Sequence, residues 1–285
     1  MHDPVTIETK AGSRPTVVKI GGAALEAAES RVAIAARLAD LDRSGDRLVV
    51  VHGGGGEVDR LVASLGMETI RRDGIRITPP EQMGLVASVL AGRVNTELVA
   101  SLAAFSVRAV GLALCDGGLA VCRVARGLDF DPGRVGEISD GDPHLLEILW
   151  DAGFVPVVAS IGADDRGELL NVNADAAAAG IARIANAREL LLLTDVPGVR
   201  GPDGATRSEL DRHEIESGIA AGWIAGGMIP KVHGALAAAE ASGVAVRIAG
   251  WSGEDPGTRI STGEASSSAF SHPVPAAETS GSPRS

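Results

Sequence analysis

Short apolar runs alternate with Ala-rich stretches along most of this 285-residue chain. The runs at 16–20 and 47–52 are rich in β-branched residues, which is typical of strands, and Ala-rich stretches of helical length follow them. The run at 189–194 is almost wholly apolar, as expected of a strand that is buried on both faces of a sheet. This alternation predicts an α/β fold, a three-layer αβα sandwich with a mainly parallel central sheet.

The same patterns predict the other elements of one domain over residues 1–260. Further strands are expected at 107–112, 119–124, 154–160 and 244–250, and helices at 23–42, 57–65, 80–105, 143–152, 173–186, 211–221 and 227–241. Residues 67–78 predict an extended hairpin with Asp73-Gly74 as its turn, and residues 126–141 are expected to be irregular. Residues 261–285 contain eight Ser and three Pro and almost nothing to bury, so we expect a disordered tail.

Composition excludes several classes of protein. The formal net charge of -11 argues against broad binding to nucleic acids or anionic membranes. Two Cys cannot build a disulfide framework, and no Cys/His cluster predicts zinc. The N-terminus is acidic and polar, unlike a signal peptide, and no uncharged apolar run reaches the ~18 residues of a membrane span. We therefore expect a cytoplasmic protein with no membrane segment.

Three predicted strands end in Gly-rich turns, at 19–22 (KIGG), 52–56 (HGGGG) and 194–199 (TDVPGV). Ligands of open α/β sheets bind at the carboxyl ends of the strands. Glycine there lets the backbone come close to a ligand and point N–H groups at it, and the next helix N-terminus adds positive charge. Neither a P-loop nor a GxGxxG motif is present. These turns therefore predict an anion site of another kind.

Lysine is rare in this chain and is concentrated at these motifs. Of 26 basic residues, only Lys10, Lys19 and Lys231 are lysine, and two of the three lie beside Gly-Gly pairs. Lys19 is the fourth residue of an apolar strand, where lysine is unusual without a partner. The ammonium group of lysine is a compact point charge that can contact a phosphate, and the larger planar guanidinium group of arginine does not replace it. Lys19 and Lys231 are therefore candidate phosphate-binding residues.

Three other polar residues have two possible roles each. Asp175 follows Asn173 at a predicted helix start, where it could favour the helix dipole or lie between the two lysines and hold them in position. Asn171 could cap that helix or bind a ligand. Arg76 in the predicted hairpin could be a solvated charge or a bidentate fork for a substrate carboxylate. His52, before the Gly run, is expected to be structural rather than a metal ligand.

Taken in order, the motifs VKIGG, HGGGG, DGIRIT, LLNVNADAAA, TDVPGV and GGMIPKV resemble the amino acid kinase family, and within it the acetylglutamate kinases. The resemblance covers about residues 16–260. It implies an αβα sandwich with an amino-acid-binding half at about 16–170 and an ATP-binding half at about 171–260. The implied reaction is ATP-dependent phosphorylation of the side-chain carboxylate of N-acetyl-L-glutamate to N-acetyl-L-glutamyl 5-phosphate, a step of arginine biosynthesis, with Mg²⁺ accompanying the nucleotide.

The resemblance also implies roles for individual residues. Lys19 and Lys231 would stabilise the transferred phosphoryl group, Asp175 would orient them, and Gly22 would contact the phosphate. Residues implied to bind the amino acid are Gly54, Gly55, Arg76 and Asn171. Residues implied to bind ATP are Asp195, Val196, Pro197, Gly198, Val199, Arg200, Trp223, Ile224 and Ala225. No motif names the Mg²⁺ ligands.

A homodimer is implied as well, with the predicted helix at 80–105 as the candidate dimer face. Two other functions stay open at this point. One is a related kinase that acts on a carrier-protein-linked aminoadipate or glutamate, against which the overall acidity argues mildly. The other is a non-catalytic nucleotide or amino-acid sensor, which would have little need for two lysines together with Asp175.

Overall fold

The computed structural model describes residues 13–72, 74–253 and 255–262. Asp73 of the predicted turn, Lys10 and most of the predicted tail lie outside these residues. The strands of the described chain are β1 (Thr16–Ile20), β2 (Leu48–His52), β3 (Arg71–Arg72), β4 (Ile75–Arg76), β5 (Ala109–Ala113), β6 (Val121–Val124), β7 (Val135–Asp140), β8 (Val155–Ala159), β9 (Ile161–Ala163), β10 (Leu169–Val172), β11 (Glu189–Thr194), β12 (Glu209–Leu210), β13 (Ala245–Gly250) and β14 (Thr258–Ile260). The α-helices are α1 (Ala28–Arg43), α2 (Gly55–Ser64), α3 (Pro80–Ala87), α4 (Asn95–Ala103), α5 (His144–Asp151), α6 (Ala174–Ile184), α7 (Arg212–Ala220) and α8 (Met228–Ser242).

The central sheet has eight strands in the order β12-β14-β13-β11-β1-β2-β8-β5. All neighbouring strands are parallel except β13 and β14. A parallel sheet puts the carboxyl ends of its strands at one edge. The turns after β1, β2, β8, β11 and β13 therefore meet at the same edge, which confirms the predicted mainly parallel sheet.

Successive residues of the central strands belong to two different hydrophobic cores. Val17 and Leu190 pack in a core that contains the buried faces of α6 and α8. Their neighbours Val18 and Leu191 pack in a second core with α1, α2 and the helices between Pro80 and Ala103. Because side chains alternate across a strand, one sheet supplies both cores, and the strands must be apolar at nearly every position. The three-layer αβα sandwich is confirmed.

Residues 126–141 differ from the sequence-based expectation. Val135–Asp140 forms strand β7, so the prediction of an irregular segment is wrong there. This strand belongs to a second sheet, in the order β6-β7-β10-β9, and it pairs parallel with β10. Gly136 lets the two strands approach, since a Cβ atom added to it would lie 2.7 Å from the Cβ of Leu170. The partner strand is distant in sequence, so local pattern could not reveal the pairing.

The predicted long helix is continuous from Pro80 to Ala103, with a π-helical segment at Ser88–Val94 between α3 and α4. By length and composition alone it could cross a membrane, a test that core helices also pass. One face is buried against the sheet, including Val86 and Leu98. Strands β3 and β4 pair antiparallel and form the short predicted hairpin.

Candidate active site

Two adjoining cavities open at the carboxyl edge of the central sheet. The larger has a volume of about 580 Å³ and lies near the ends of β11 and β13. The smaller, of about 240 Å³, is bordered by the Gly-rich turn after β2 and by the β3–β4 hairpin. Lys19, Gly21 and Asp175 line both cavities. These three residues therefore mark the junction at which two bound molecules would meet.

Lys19 reaches this junction from the middle of the sheet. It lies on β1 between β2 and β11, its side chain is 16% exposed, and its Nζ atom is 2.7 Å from Oδ1 of Asp175. Asp175 is held in place by the start of α6, where the Asn173 side chain accepts hydrogen bonds from the N–H groups of Asp175 (2.8 Å) and Ala176 (3.3 Å). The helix-capping role thus belongs to Asn173, and Asp175 makes the predicted ion pair with Lys19.

Lys231 comes from the first turn of α8 and has different partners. Its Nζ atom donates hydrogen bonds to Oγ1 of Thr194 (2.8 Å) and to Oδ1 of Asp195 (2.6 Å). The bonds from Lys231 and Thr194 lower the pKa of the Asp195 carboxyl group, so it is ionised at neutral pH. Asp175 was expected to lie between the two lysines, but its ion pair is with Lys19, whereas Asp195 pairs with Lys231. The two lysines come from different elements, β1 and α8, and each pairs with its own carboxylate.

The Gly-rich turns after β1 and β2 are packed against each other. A Cβ atom added to Gly22 would lie 2.8 Å from both Cα and N of Gly54, so neither turn has room for a side chain at this contact. The N–H group of Gly53 donates to the carbonyl of Ile20 (3.2 Å), which ties the two turns together. Helix α2 begins at Gly55, and its first N–H groups have no partner within the helix. Gly22, Gly54 and Gly55 all line the smaller cavity.

A buried pair of polar side chains supports the turn after β2. His52 is fully buried, and its Nδ1 donates to the carbonyl of Gly53 (3.0 Å) while its Nε2 accepts from Nδ2 of Asn95 (3.0 Å). Asn95 also donates to the carbonyl of Val157 (2.9 Å). Burial lowers the pKa of His52, so the ring is neutral at pH 7. Both ring nitrogens are used within the protein, in agreement with a structural role.

The predicted amino-acid-binding side chains line the smaller cavity. Arg76 is only 9% exposed and donates to the carbonyl of Gly55 (2.8 Å), to Oδ1 of Asp59 (2.6 Å) and to Oγ1 of Thr69 (3.1 Å). Asn171 lies on β10, not at a helix start, and donates to Oγ1 of Thr78 (3.0 Å). The structure thus brings these two side chains together with Gly54 and Gly55.

Most of the predicted ATP-binding residues do not line the larger cavity. Of that set only Asp195 is among its lining residues. Val199 and Ile224 are buried in the hydrophobic core, where their side chains cannot reach a ligand. The residues that do not line it are Val196, Pro197, Gly198, Val199, Arg200, Trp223, Ile224 and Ala225.

Sequence reasoning missed other residues that line the larger cavity. They include Thr194 at the end of β11, Trp251 after β13, and Ser30 on α1. The strand-end positions of Thr194 and Trp251 were a usable signal, because ligands bind at strand ends in such sheets. No signal in the sequence pointed to Ser30, since only tertiary packing brings α1 to the cavity. Among the described residues, no group of three or more His, Cys, Asp or Glu side chains could hold a metal ion.

Comparison with known proteins agrees with this architecture. The sequence profile of the amino acid kinase family matches residues 14–250. The chain belongs to the amino acid kinase family. It is 41% identical over 250 residues to the acetylglutamate kinase of Colwellia psychrerythraea, covering 88% of this chain and 94% of the relative. It is 39% identical over 263 residues to that of Vibrio campbellii, covering 92% and 98%.

A solved structure is also similar to this chain. The N-acetylglutamate synthase of Neisseria gonorrhoeae, complexed with coenzyme A and N-acetyl-glutamate, has a TM-score of 0.73 and 29% identity. The match covers 88% of this chain and 60% of that chain. In this chain the matched region includes Lys19, Lys231 and every other described residue that lines the two cavities except Trp251.

Proposed function

We propose that this protein transfers the γ-phosphoryl group of ATP to the side-chain carboxylate of N-acetyl-L-glutamate, forming N-acetyl-L-glutamyl 5-phosphate in arginine biosynthesis. The observation that carries the proposal is the junction of two cavities at Lys19 and Asp175, with Lys231 lining the larger one. Relatives about 40% identical over most of the chain are acetylglutamate kinases. The carrier-protein-linked substrate and the non-catalytic sensor are not favoured.

The chemistry of this reaction requires no general base. A carboxylate nucleophile is already ionised at pH 7, and the described residues that line the two cavities include neither His nor Glu. Catalysis must then come from alignment of the reactants and from neutralisation of charge on the transferred group. Lys19 would contact that group from the sheet and Lys231 from α8. Asp175 and Asp195 would each keep one ammonium group in position.

The smaller cavity suits the amino acid. The N–H groups of Gly54 and Gly55, at the start of α2, would bind the reacting carboxylate, with Gly22 beside the phosphoryl path. Arg76 and Asn171 would hold the remainder of the substrate. The larger cavity suits ATP, because its apolar lining, which includes Ile248 and Trp251, can cover a purine base.

The donor set fits a magnesium ion that comes with the nucleotide. Asp175 and Asp195 are the carboxylates that line the larger cavity, and Mg²⁺ is commonly held by one or two carboxylates together with substrate phosphates. When bound there, the ion would neutralise charge on the phosphate oxygens. The protein itself would contribute the carboxylates of Asp175 and Asp195, the two ammonium groups and the N–H groups of the Gly-rich turns.

We further propose that the enzyme is cytoplasmic and works as a homodimer through the helical run Pro80–Ala103. Its outward residues include the small side chains of Ala91, Ala100 and Ala103, which would let a second copy approach closely. Light scattering coupled to gel filtration should give twice the mass of the chain. A mass of one chain would contradict the dimer without affecting the proposed reaction.

A hydroxamate assay tests the reaction directly. Acyl phosphates react with hydroxylamine, so the purified protein with ATP, Mg²⁺ and N-acetyl-L-glutamate should give a coloured hydroxamate and an equal amount of ADP. L-Glutamate and a carrier-protein-linked aminoadipate serve as alternative acceptors, and Lys231→Met as the inactive control. No product with N-acetyl-L-glutamate at millimolar concentration would reject the proposed function, and product only with the carrier-linked acceptor would replace it.

A further inference from the structure

The smaller cavity is lined by two guanidinium groups, and the sequence pointed to only one of them. Arg71 and Arg76 lie directly opposite each other in the β3–β4 hairpin, and both line the cavity. A Cβ atom added to Gly55 would lie 3.8 Å from Nη2 of each arginine. The two guanidinium groups therefore border the same residue at the start of α2.

Asp59 links the two arginines by a hydrogen bond to each. Its Oδ2 accepts from Nη2 of Arg71 (2.7 Å), and its Oδ1 accepts from Nη2 of Arg76 (2.6 Å). Burial raises the pKa of Asp59, but the hydrogen bonds from Arg71, Arg76 and Thr69 outweigh it and lower the pKa overall. Two cations and one ionised carboxylate leave the group with one net positive charge, which suits one anionic group of a substrate.

The two arginines differ in how firmly they are held. Arg76 is 9% exposed and has three hydrogen-bond partners, so its position is fixed by the fold. Arg71 is 46% exposed, and among the described residues Asp59 is its ion-pair partner. Arg71 therefore lines the cavity with N–H groups that make no hydrogen bond to the other described residues, and these can bind a carboxylate.

We propose that Arg71 binds the non-reacting α-carboxylate of the substrate together with Arg76, while Asp59 holds the two guanidinium groups side by side. This inference rests on the proposed function, which places a dicarboxylate in the smaller cavity. The reacting carboxylate must lie near Lys19, so the other end of the molecule extends toward the hairpin. Guanidinium groups bind carboxylates through two parallel hydrogen bonds, which makes such a pair selective for an acceptor that carries a second carboxylate.

Arg72 provides a matched control on the same strand. It is 49% exposed, pairs with Asp129 (2.8 Å) and lies over the ring of Phe130, and it does not line the cavity. Arg71→Ala should raise KM for N-acetyl-L-glutamate about tenfold or more, as expected for loss of a charged hydrogen bond. The values of kcat and of KM for ATP should stay within about twofold. Arg72→Ala should leave all three constants within about twofold of the wild type.

An acceptor analogue without the α-carboxylate separates binding from a general effect on the fold. The inhibition constant of 4-acetamidobutyrate should be the same in the wild type and in Arg71→Ala, because the analogue has nothing for Arg71 to bind. An active wild type with an unchanged KM in Arg71→Ala would overturn this inference alone. If Arg71→Ala lost as much affinity for the analogue as for N-acetyl-L-glutamate, this inference would also be overturned. A wild type that does not phosphorylate N-acetyl-L-glutamate would overturn the proposed function as well.

Discussion

The two lysine–carboxylate pairs of the site are chemically alike but differ in their surroundings. Lys19 and Asp175 are 16% and 49% exposed, and they lie where the two cavities join. Lys231 and Asp195 are 34% and 65% exposed, and they line the larger cavity alone. In the first pair, a central strand positions the lysine and a capped helix positions the carboxylate. In the second pair, a helix start positions the lysine and a strand end positions the carboxylate. From this difference we propose that Lys19 contacts both substrates and Lys231 chiefly the nucleotide.

Replacing each lysine by arginine gives the largest expected effect. Lys231→Arg should lower kcat by at least ~10²-fold, since a planar fork cannot replace a point charge on the phosphoryl group. Lys19→Arg should lower it further, because the more buried position has less room for a larger side chain. Steady-state rates measure both, and thermal unfolding should show little change for Lys231→Arg. Near-normal turnover in the Lys231 variant would refute its proposed role.

The next test concerns the packing of the Gly-rich turns after β1 and β2, which lie near Lys19. Gly22→Ala should lower the free energy of unfolding by about 1–3 kcal/mol, since its Cβ would press on the backbone of Gly54. Gly21→Ala is the control, because the nearest atom to its Cβ is Nζ of Lys19 at 4.0 Å. Urea unfolding compares the two variants. Equal stabilities would show that the turns can move apart freely.

The two carboxylates should differ in which kinetic constant they change. Asp175→Asn should lower kcat by roughly 10-fold, because Lys19 loses the group that positions it at the junction. Asp195→Asn should raise KM for ATP several-fold with a smaller change in kcat, since this residue borders only the larger cavity. Stability should hardly change in Asp195→Asn, because exposed ion pairs contribute little to it. If kcat and KM changed in the same way in both variants, the two carboxylates would not have the different roles proposed for them.

The smallest expected effect concerns pH and the support of the turn after β2. Burial lowers the pKa of His52 in the folded state, so the unfolded chain binds more protons as the pH falls below about 6.5. The stability that His52 contributes is thus present above this pH and is lost as the pH falls, by at most ~1.4 kcal/mol per pH unit. Melting temperatures between pH 7.5 and 5.5 should fall less in His52→Gln than in the wild type. Parallel slopes would show that His52 does not titrate in this range.

The local pattern of the chain was enough to predict the central strands. Strands β1 and β11 have the predicted limits because each contains a run of apolar residues that lies in the middle of the sheet. The second sheet was missed because β7 and β10 contain polar residues and pair across a long separation in sequence. A period of two is hard to recognise in a strand that carries Gly136, Glu137 and Asp140.

The site could be predicted wherever the residues that form it are close together in the sequence. The Gly-rich turns after β1 and β2 and the start of α6 are such cases. The residues from them that line the smaller cavity are Gly21, Gly22, Gly53, Gly54, Gly55 and Asp175. The ATP-binding set was assigned along the chain after β11, but the larger cavity is built from several elements that only folding brings together. The pairing of Asp195 with Lys231 is of the same kind, because it joins a strand end to a helix start.

The sharing of Lys19, Gly21 and Asp175 by both cavities has a consequence for the order of events in turnover. The other lining residues of the two cavities differ, so each cavity can hold its own substrate while the other is occupied. The phosphoryl group can pass only where the cavities meet, and the carboxylate of Asp175 at this junction is ion-paired with Lys19, so we expect direct transfer between the two substrates. Turnover should therefore pass through a ternary complex, with intersecting rather than parallel double-reciprocal plots when both substrates are varied.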